Sequence, residues 1–194
     1  MRARDPEAET DADLCRRAQR GDRGAWRALV RRHTPMVYRL AARMLSPGPE
    51  AEDATQEAFV QMHRAFEQYD LDRPLKPWLG RITYHVCLKR MAKQRRVELP
   101  VDPVSLVDLE DGHMRGPEAQ AADRQVGALI TEAMGRLSAQ DRALVTMRYV
   151  DGLTDVEVGE AVGMNRNTVR TRLYRARATL RRALGPLLDG GDRT

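Results

Sequence analysis

The stretch from Leu153 to Leu184, LTDVEVGEAVGMNRNTVRTRLYRARATLRRAL, constrains this chain more than any other. Thr154, with Glu157 three residues on, has the form of a capping box, in which a hydroxyl and a carboxylate satisfy the free amides of a new helix. That helix runs to about Val162, because Gly163 offers a left-handed stop. Asn165 then caps a second helix from Arg166 onward. Gly159 is small where two crossing helices need close backbone approach. On the second helix Val169, Leu173, Ala176 and Leu180 recur at helical spacing and predict a buried stripe. The other face carries Arg166, Arg170, Thr171, Tyr174, Arg175 and Arg177, and Gly163 to Leu184 holds seven arginines and no acid. Two capped helices with a single-sign outer face predict a helix-turn-helix whose second helix suits the DNA major groove. A solvated basic helix would share the charge but has no need of the caps and the glycine between them.

The rest of the chain offers no alternation of Ile, Val and Thr, so an all-α fold is expected. Net charge is +5, but its distribution says more. From Met1 to Val97 there are 20 basic and 13 acidic residues, a net of +7. Glu98 to Asp123 has 1 basic against 7 acidic, a net of −6, and Arg124 to Thr194 has 12 against 8, a net of +4. Two basic modules flank an acidic connector, which makes nucleic acid the leading class of partner. Cys15 and Cys87 are the two cysteines, too few for a disulfide framework or a thiolate metal cluster. With no apolar leader and no membrane-length run, a reducing cytoplasm is the expected compartment.

In chain order, residues 1–10 read as a disordered lead. A first helix begins at Asp13, Gly21-Asp22 breaks it, and a second contains Ala25, Trp26, Leu29 and Val30. Pro35 fits the first turn of a third helix with Val37, Leu40, Ala41, Met44 and Leu45 on its apolar side. After the turn Ser46-Pro-Gly-Pro49, a helix from Glu50 to about Phe66 places Ala51, Thr55, Ala58, Met62 and Phe66 inward. Asp53, Gln56, Glu57, Val60 and Arg64 lie on another face, although acids at a helix start also serve the dipole alone. Tyr69 to Pro77 reads as a loop, and Trp78 opens a helix with Leu79, Ile82 and Val86 buried and Cys87 at the core edge. Its end carries Lys89, Arg90, Lys93, Arg95 and Arg96, more cations than the dipole needs, which suits a polyanion. Residues 98–123 read as a linker able to reach about 85 Å when extended. Helix resumes at Arg124, with Val126, Leu129, Ile130, Ala133, Met134 and Leu137 as a stripe. Ser138 caps the next helix, which carries Leu144, Met147 and Val150 and ends at Gly152. Gly185-Pro186 closes the structured region, within a module spanning 124–188, and 189–194 forms a tail.

The motifs GD-x-x-AW at Gly21 to Trp26, AEDATQEAF at Ala51 to Phe59 and WLGRI at Trp78 to Ile82 resemble region two of the bacterial extracytoplasmic-function (ECF) sigma factors. LSAQDR at Leu137 to Arg142, RYVDGLTDVEVGEAVGM and NTVRTRLYRARATLRRAL resemble region four of the same family. The resemblance runs from about Asp11 to Leu188. It implies a region-two domain over 11–97 and a region-four domain over 124–188. It further implies that Asp53, Gln56, Glu57 and Val60 dock on core RNA polymerase. Arg73, His85, Lys89, Arg90 and Lys93 would then hold the melted minus-ten strand. Arg166, Asn167, Thr168, Arg170, Thr171, Tyr174 and Arg175 would read the minus-thirty-five duplex. The acidic linker would thread toward the RNA exit path. An anti-sigma factor is an implied partner; a cofactor, a metal and an enzymatic activity are not.

The chain departs from the family where His85 replaces a common asparagine and Lys89 a frequent aspartate, so the minus-ten preference does not carry over. Gly159 stands for the usual alanine, at about 1 kcal/mol of helix propensity, and Asn167 for a frequent glycine. Two other functions fit parts of these features: a stand-alone helix-turn-helix regulator, and a polymerase-binding adaptor that does not read DNA. The four histidines are scattered without metal-ligand spacing, and no catalytic constellation is visible.

Overall fold

The computed structural model describes residues 9–96 and 127–188. The described residues contain helices and turns and no strand. Residues 1–8 of the expected lead, and the expected linker and tail, lie outside them; Glu9 and Thr10 are described, Glu9 ion-paired with Arg17 and Thr10 capping the first helix, so the structured chain begins before the end of that lead.

Helix α1 (Asp11–Gln19) is capped by Thr10, whose hydroxyl accepts from the amide of Asp13, two residues earlier than the sequence suggests. Gly21, at φ 87°, turns the chain, and Asp22 caps α2 (Arg23–Leu45) by accepting from Gly24 and Ala25. Here the structure corrects the expectation of a break at Pro35: α2 continues through it as one helix. An internal proline removes one amide donor and costs about 3 kcal/mol. Leu29 and His33 before it, and Met36, Val37 and Leu40 after it, are all buried, and packing on both sides outweighs that cost. Helix α3 (Pro49–Ala65) follows the tight Ser46–Gly48 turn and begins on the proline, whose missing donor matters least there. Ala51, Thr55, Ala58, Met62 and Phe66 face the core as expected.

A 3-10 turn (Phe66–Gln68) and a short loop lead to α4 (Leu75–Arg96), which starts three residues before Trp78. Cys87 is fully buried rather than at the core edge, and burial pushes its thiol up to about 12. Cys15, equally buried, is also raised to about 12, so both stay protonated and unreactive near neutrality.

In the second unit α5 (127–135) buries Ala133 and Met134 but leaves Ile130 exposed, against the expected stripe. Ser138 caps α6 (Ala139–Val145) by accepting from Asp141. A π-helical turn (Thr146–Val150) follows, and its wider winding swings Val150 out to solvent instead of into the core. Helices α7 (Asp155–Val162) and α8 (Arg166–Leu188) complete the fold, with α8 running past Gly185 and Pro186.

The two units do not stand apart. α7 packs on α4 and α6 on α2, and their apolar cores form one continuous cluster. Gly80 lies where a Cβ would sit 3.9 Å from the Met147 methyl. The Arg142 guanidinium donates across the seam to the backbone carbonyl of Arg43.

Candidate nucleic-acid and polymerase interface

The helix-turn-helix is built as its sequence predicts. The Thr154 hydroxyl accepts from the Glu157 amide at 3.2 Å, and the Glu157 carboxylate accepts from the Thr154 amide at 2.7 Å. Gly163 adopts the left-handed conformation, φ 73° and ψ 33°. Asn165 Oδ1 accepts from the Thr168 amide at 2.8 Å and opens α8. The Met164 amide returns to the Gly159 carbonyl at 2.9 Å, drawing the turn backbone over that glycine. A Cβ on Gly159 would meet the Met164 oxygen at 2.5 Å, so the neighbour that demands the small residue is the turn itself.

Val169, Leu173 and Ala176 are buried, which turns the opposite side of α8 outward. Arg166, Asn167, Thr168, Arg170, Thr171, Tyr174 and Arg175 are all exposed. Arg172 is turned the other way and holds α8 on α6, with Nε 2.7 Å from Asp141 and Nη1 3.2 Å from Gln140. Sequence reasoning missed two residues in the same groove: Arg148 and Tyr149, from the π-helical turn, line it beside Asn167, Arg170 and Tyr174. Their signal was present as a cation and an exposed aromatic just before the turn, but no local period aims them at α8.

In the first unit the loop after α3 is held by a chain of packed aromatic rings. Trp26 meets Phe66 at 5.1 Å, Phe66 meets Tyr69 at 5.9 Å and Tyr69 meets Trp78 at 4.5 Å between ring centroids. Gln19 Nε2 donates to the carbonyls of both Phe66 and Tyr69, and the Tyr69 hydroxyl donates to that of Arg73. Arg73 is thereby presented to solvent at the loop end. On α4, His85, Lys89 and Lys93 are exposed one turn apart and form a line, with His85 Nδ1 2.8 Å from the Arg81 carbonyl. Exposed Arg81 extends the line by one more turn; it sits four residues before His85 and could have been read from that spacing. Arg90 does not join them. Its guanidinium faces α3 and is ion-paired there. The side chains of Arg95 and Arg96 lie outside the described residues.

On α3, Asp53, Gln56 and Val60 are exposed, Val60 at 47%, and Glu57 is half-buried. An exposed valine one helical turn from an amide and a carboxylate is a surface suited to a protein partner.

Comparison with known proteins decides the family. The model for Sigma-70 region 2 matches residues 29–97, and that for Sigma-70, region 4 matches residues 128–180. The ECF RNA polymerase sigma factor SigM of Mycobacterium tuberculosis is 32% identical over 182 residues, spanning 93% of this chain and 88% of that one. The chain belongs to the ECF sigma factors. These factors act with core RNA polymerase to start transcription at promoters and carry no catalytic step of their own. SigE of Mycolicibacterium smegmatis is 34% identical over 166 residues, which is 83% of this chain and 63% of that longer one. Among solved structures, the sigma factor RpoE of Bartonella quintana, in complex with the anti-sigma factor NepR, superimposes with a TM-score of 0.65. At 20% identity over 81% of this chain and 92% of that one, it supports the fold alone. Against this family pattern the first unit is the region-two side of the ECF sigma factor and the second its region-four side. Among the described residues, no helix is long and apolar enough to cross a membrane.

Proposed function

We propose that this sigma factor grips promoter DNA at two separated places and core polymerase at a third. The exposed face of α8, with Arg166, Asn167, Thr168, Arg170, Thr171, Tyr174 and Arg175, enters the major groove of the minus-thirty-five element. Arg73, His85, Lys89 and Lys93 hold the melted minus-ten strand. Asp53, Gln56, Glu57 and Val60 dock on core polymerase. The observation that carries this reading is the pair of exposed cationic rows, one on each unit, facing outward from separate helices. Binding single-stranded bases only once they are unstacked rewards the open state, so melting is driven by binding energy without hydrolysis.

The division into 11–97, a linker over 98–123 and 124–188 follows the same reading. So do action in the cytoplasm and the absence of an enzymatic activity. An anti-sigma factor is proposed as a partner, since the similar RpoE was solved with one. Reconstituted transcription tests the whole. Core polymerase plus this protein should give transcripts from promoters of its own genome, and Ala replacements at Asp53, Gln56 and Glu57 should abolish them. No transcript from any such promoter overturns the reading. Duplex binding without polymerase, together with insensitivity to the α3 changes, would favour a stand-alone regulator.

A further inference from the structure

Arg90 lies on the helix of the minus-ten row yet belongs to the α3 surface. Its Nη2 is 2.9 Å from Glu57 Oε2, and its Nε donates to the same oxygen at 3.1 Å. Nη1 reaches Glu50 Oε2 at 3.2 Å and Asp53 Oδ2 at 3.8 Å. One guanidinium therefore spans three carboxylates, two of which belong to the proposed docking face. Burial works against its charge, and the bonds to Glu57 and Glu50 overcome that and hold it protonated. Glu57 is also held by Gln61 Nε2, 3.2 Å from its other oxygen. Arg90 adjoins exposed Lys89, and its side chain is 22% exposed.

From this geometry we infer that Arg90 is a positioning residue that couples polymerase docking to DNA binding, an internal cation occupying the α3 carboxylates until a partner takes them. The inference rests on the docking and minus-ten assignments proposed above. A cationic partner surface that pairs with Asp53 and Glu57 competes directly with Arg90. The released guanidinium then lies beside Lys89 and adds one phosphate contact to the row. Linkage makes the effect reciprocal: whatever draws Arg90 to DNA frees the carboxylates for docking. The free protein is thereby restrained from binding single strands on its own.

The test uses the full chain without polymerase, a fluorescent single-stranded oligonucleotide and anisotropy titrations over a range of salt. Glu57→Gln should raise affinity by about fivefold, the low end of ordinary coupling between sites. It should steepen the salt dependence by about 0.7, the value for one more phosphate contact on a single strand. Glu52→Gln removes the same charge from an exposed position outside the cluster and corrects for net charge. In an Arg90→Gln background the Glu57→Gln gain should disappear, and Arg90→Lys should restore part of it. Circular dichroism melts select variants that remain folded; if Arg90→Gln does not, the cycle is run on Arg90→Lys, where the gain should shrink. A Glu57→Gln effect no larger than that of Glu52→Gln, or one that persists undiminished in the Arg90 variants, overturns the coupling. Failure of the sigma-factor reading would show separately, as absence of transcripts with wild-type protein.

Discussion

Arg39 Nη2 on α2 lies 2.9 Å from Asp151 Oδ1, which joins the two helical units through a carboxylate whose side chain is only 2% exposed. Asp151 follows the π-helical turn, and its amide is held by the Thr146 carbonyl, so its position is fixed by its own unit before it meets Arg39. The same seam borders a cavity of about 260 Å³ lined by Arg73 and Lys76 from the first unit and by Gly152 and Leu153 from the second. Closure of the seam therefore sets what surrounds part of the loop that presents Arg73.

Removing Arg39 should open this seam. Breaking a buried pair costs about 3–5 kcal/mol; Arg39 is 26% exposed, which reduces the expected loss for Arg39→Ala to about 2 kcal/mol. Asp151→Asn keeps an acceptor and should cost less. Burial pushes the Asp151 carboxyl above its usual 3.8, against the opposing bond from Arg39. Its folded form thus holds a proton more readily than its unfolded form. The stabilising contribution is complete below 3.8 and fades as pH rises through the raised value. Urea melts and small-angle scattering across pH should show this dependence in wild type and its loss in Asp151→Asn.

Asp11 should behave in the opposite sense. His33 Nε2, 2.9 Å away, and the Arg32 guanidinium, which donates at 2.8 Å, hold its carboxyl down at about 2 despite burial. Its contribution is present above the unfolded value of 3.8 and is lost as pH falls toward 2. Asp11→Asn should lose about 1–2 kcal/mol at pH 7, after allowance for solvent screening. The difference from wild type should shrink in melts below pH 3.8. A constant difference down to the lowest pH would contradict it.

Gly159→Ala reverses the sign that helix propensity gives. Propensity favours alanine by about 1 kcal/mol, but the new Cβ would strike the Met164 carbonyl, a backbone atom fixed by the turn. A net destabilisation of about 1–3 kcal/mol is expected, typical of overpacking. Thermal unfolding reads it, and a stabilised variant would show that the turn can yield.

The two proposed DNA faces should separate by assay. Arg170→Ala should cost about 1–3 kcal/mol with altered sequence preference if it meets a base edge, or weaken all sequences alike if it meets phosphate. Lys89→Glu and Lys93→Glu should instead leave closed-complex formation nearly intact and impair opening. Permanganate footprinting reads the melted bases, and normal reactivity in the charge-reversed proteins would contradict that role.

Local rules in the sequence determined the caps at Thr154 and Asn165, the stop at Gly163, the buried face of α3 and the outward faces of α8 and the Lys89 row. Each depends on residues within one or two helical turns, where hydrogen-bonding capacity and apolar period act directly. Other features were decided by contacts distant in sequence. Whether Pro35 breaks α2 depended on burial on both of its sides. Whether the Arg90 guanidinium faces solvent or the carboxylates of α3 depended on α3, more than thirty residues earlier. The charge pattern suggested two modules on a long tether, yet Arg39 and Asp151 meet across 112 positions. A cation's sequence context gives its charge and its helix face. Only the tertiary structure decides which carboxylate that face meets, because the partner's distance depends on how whole helices pack.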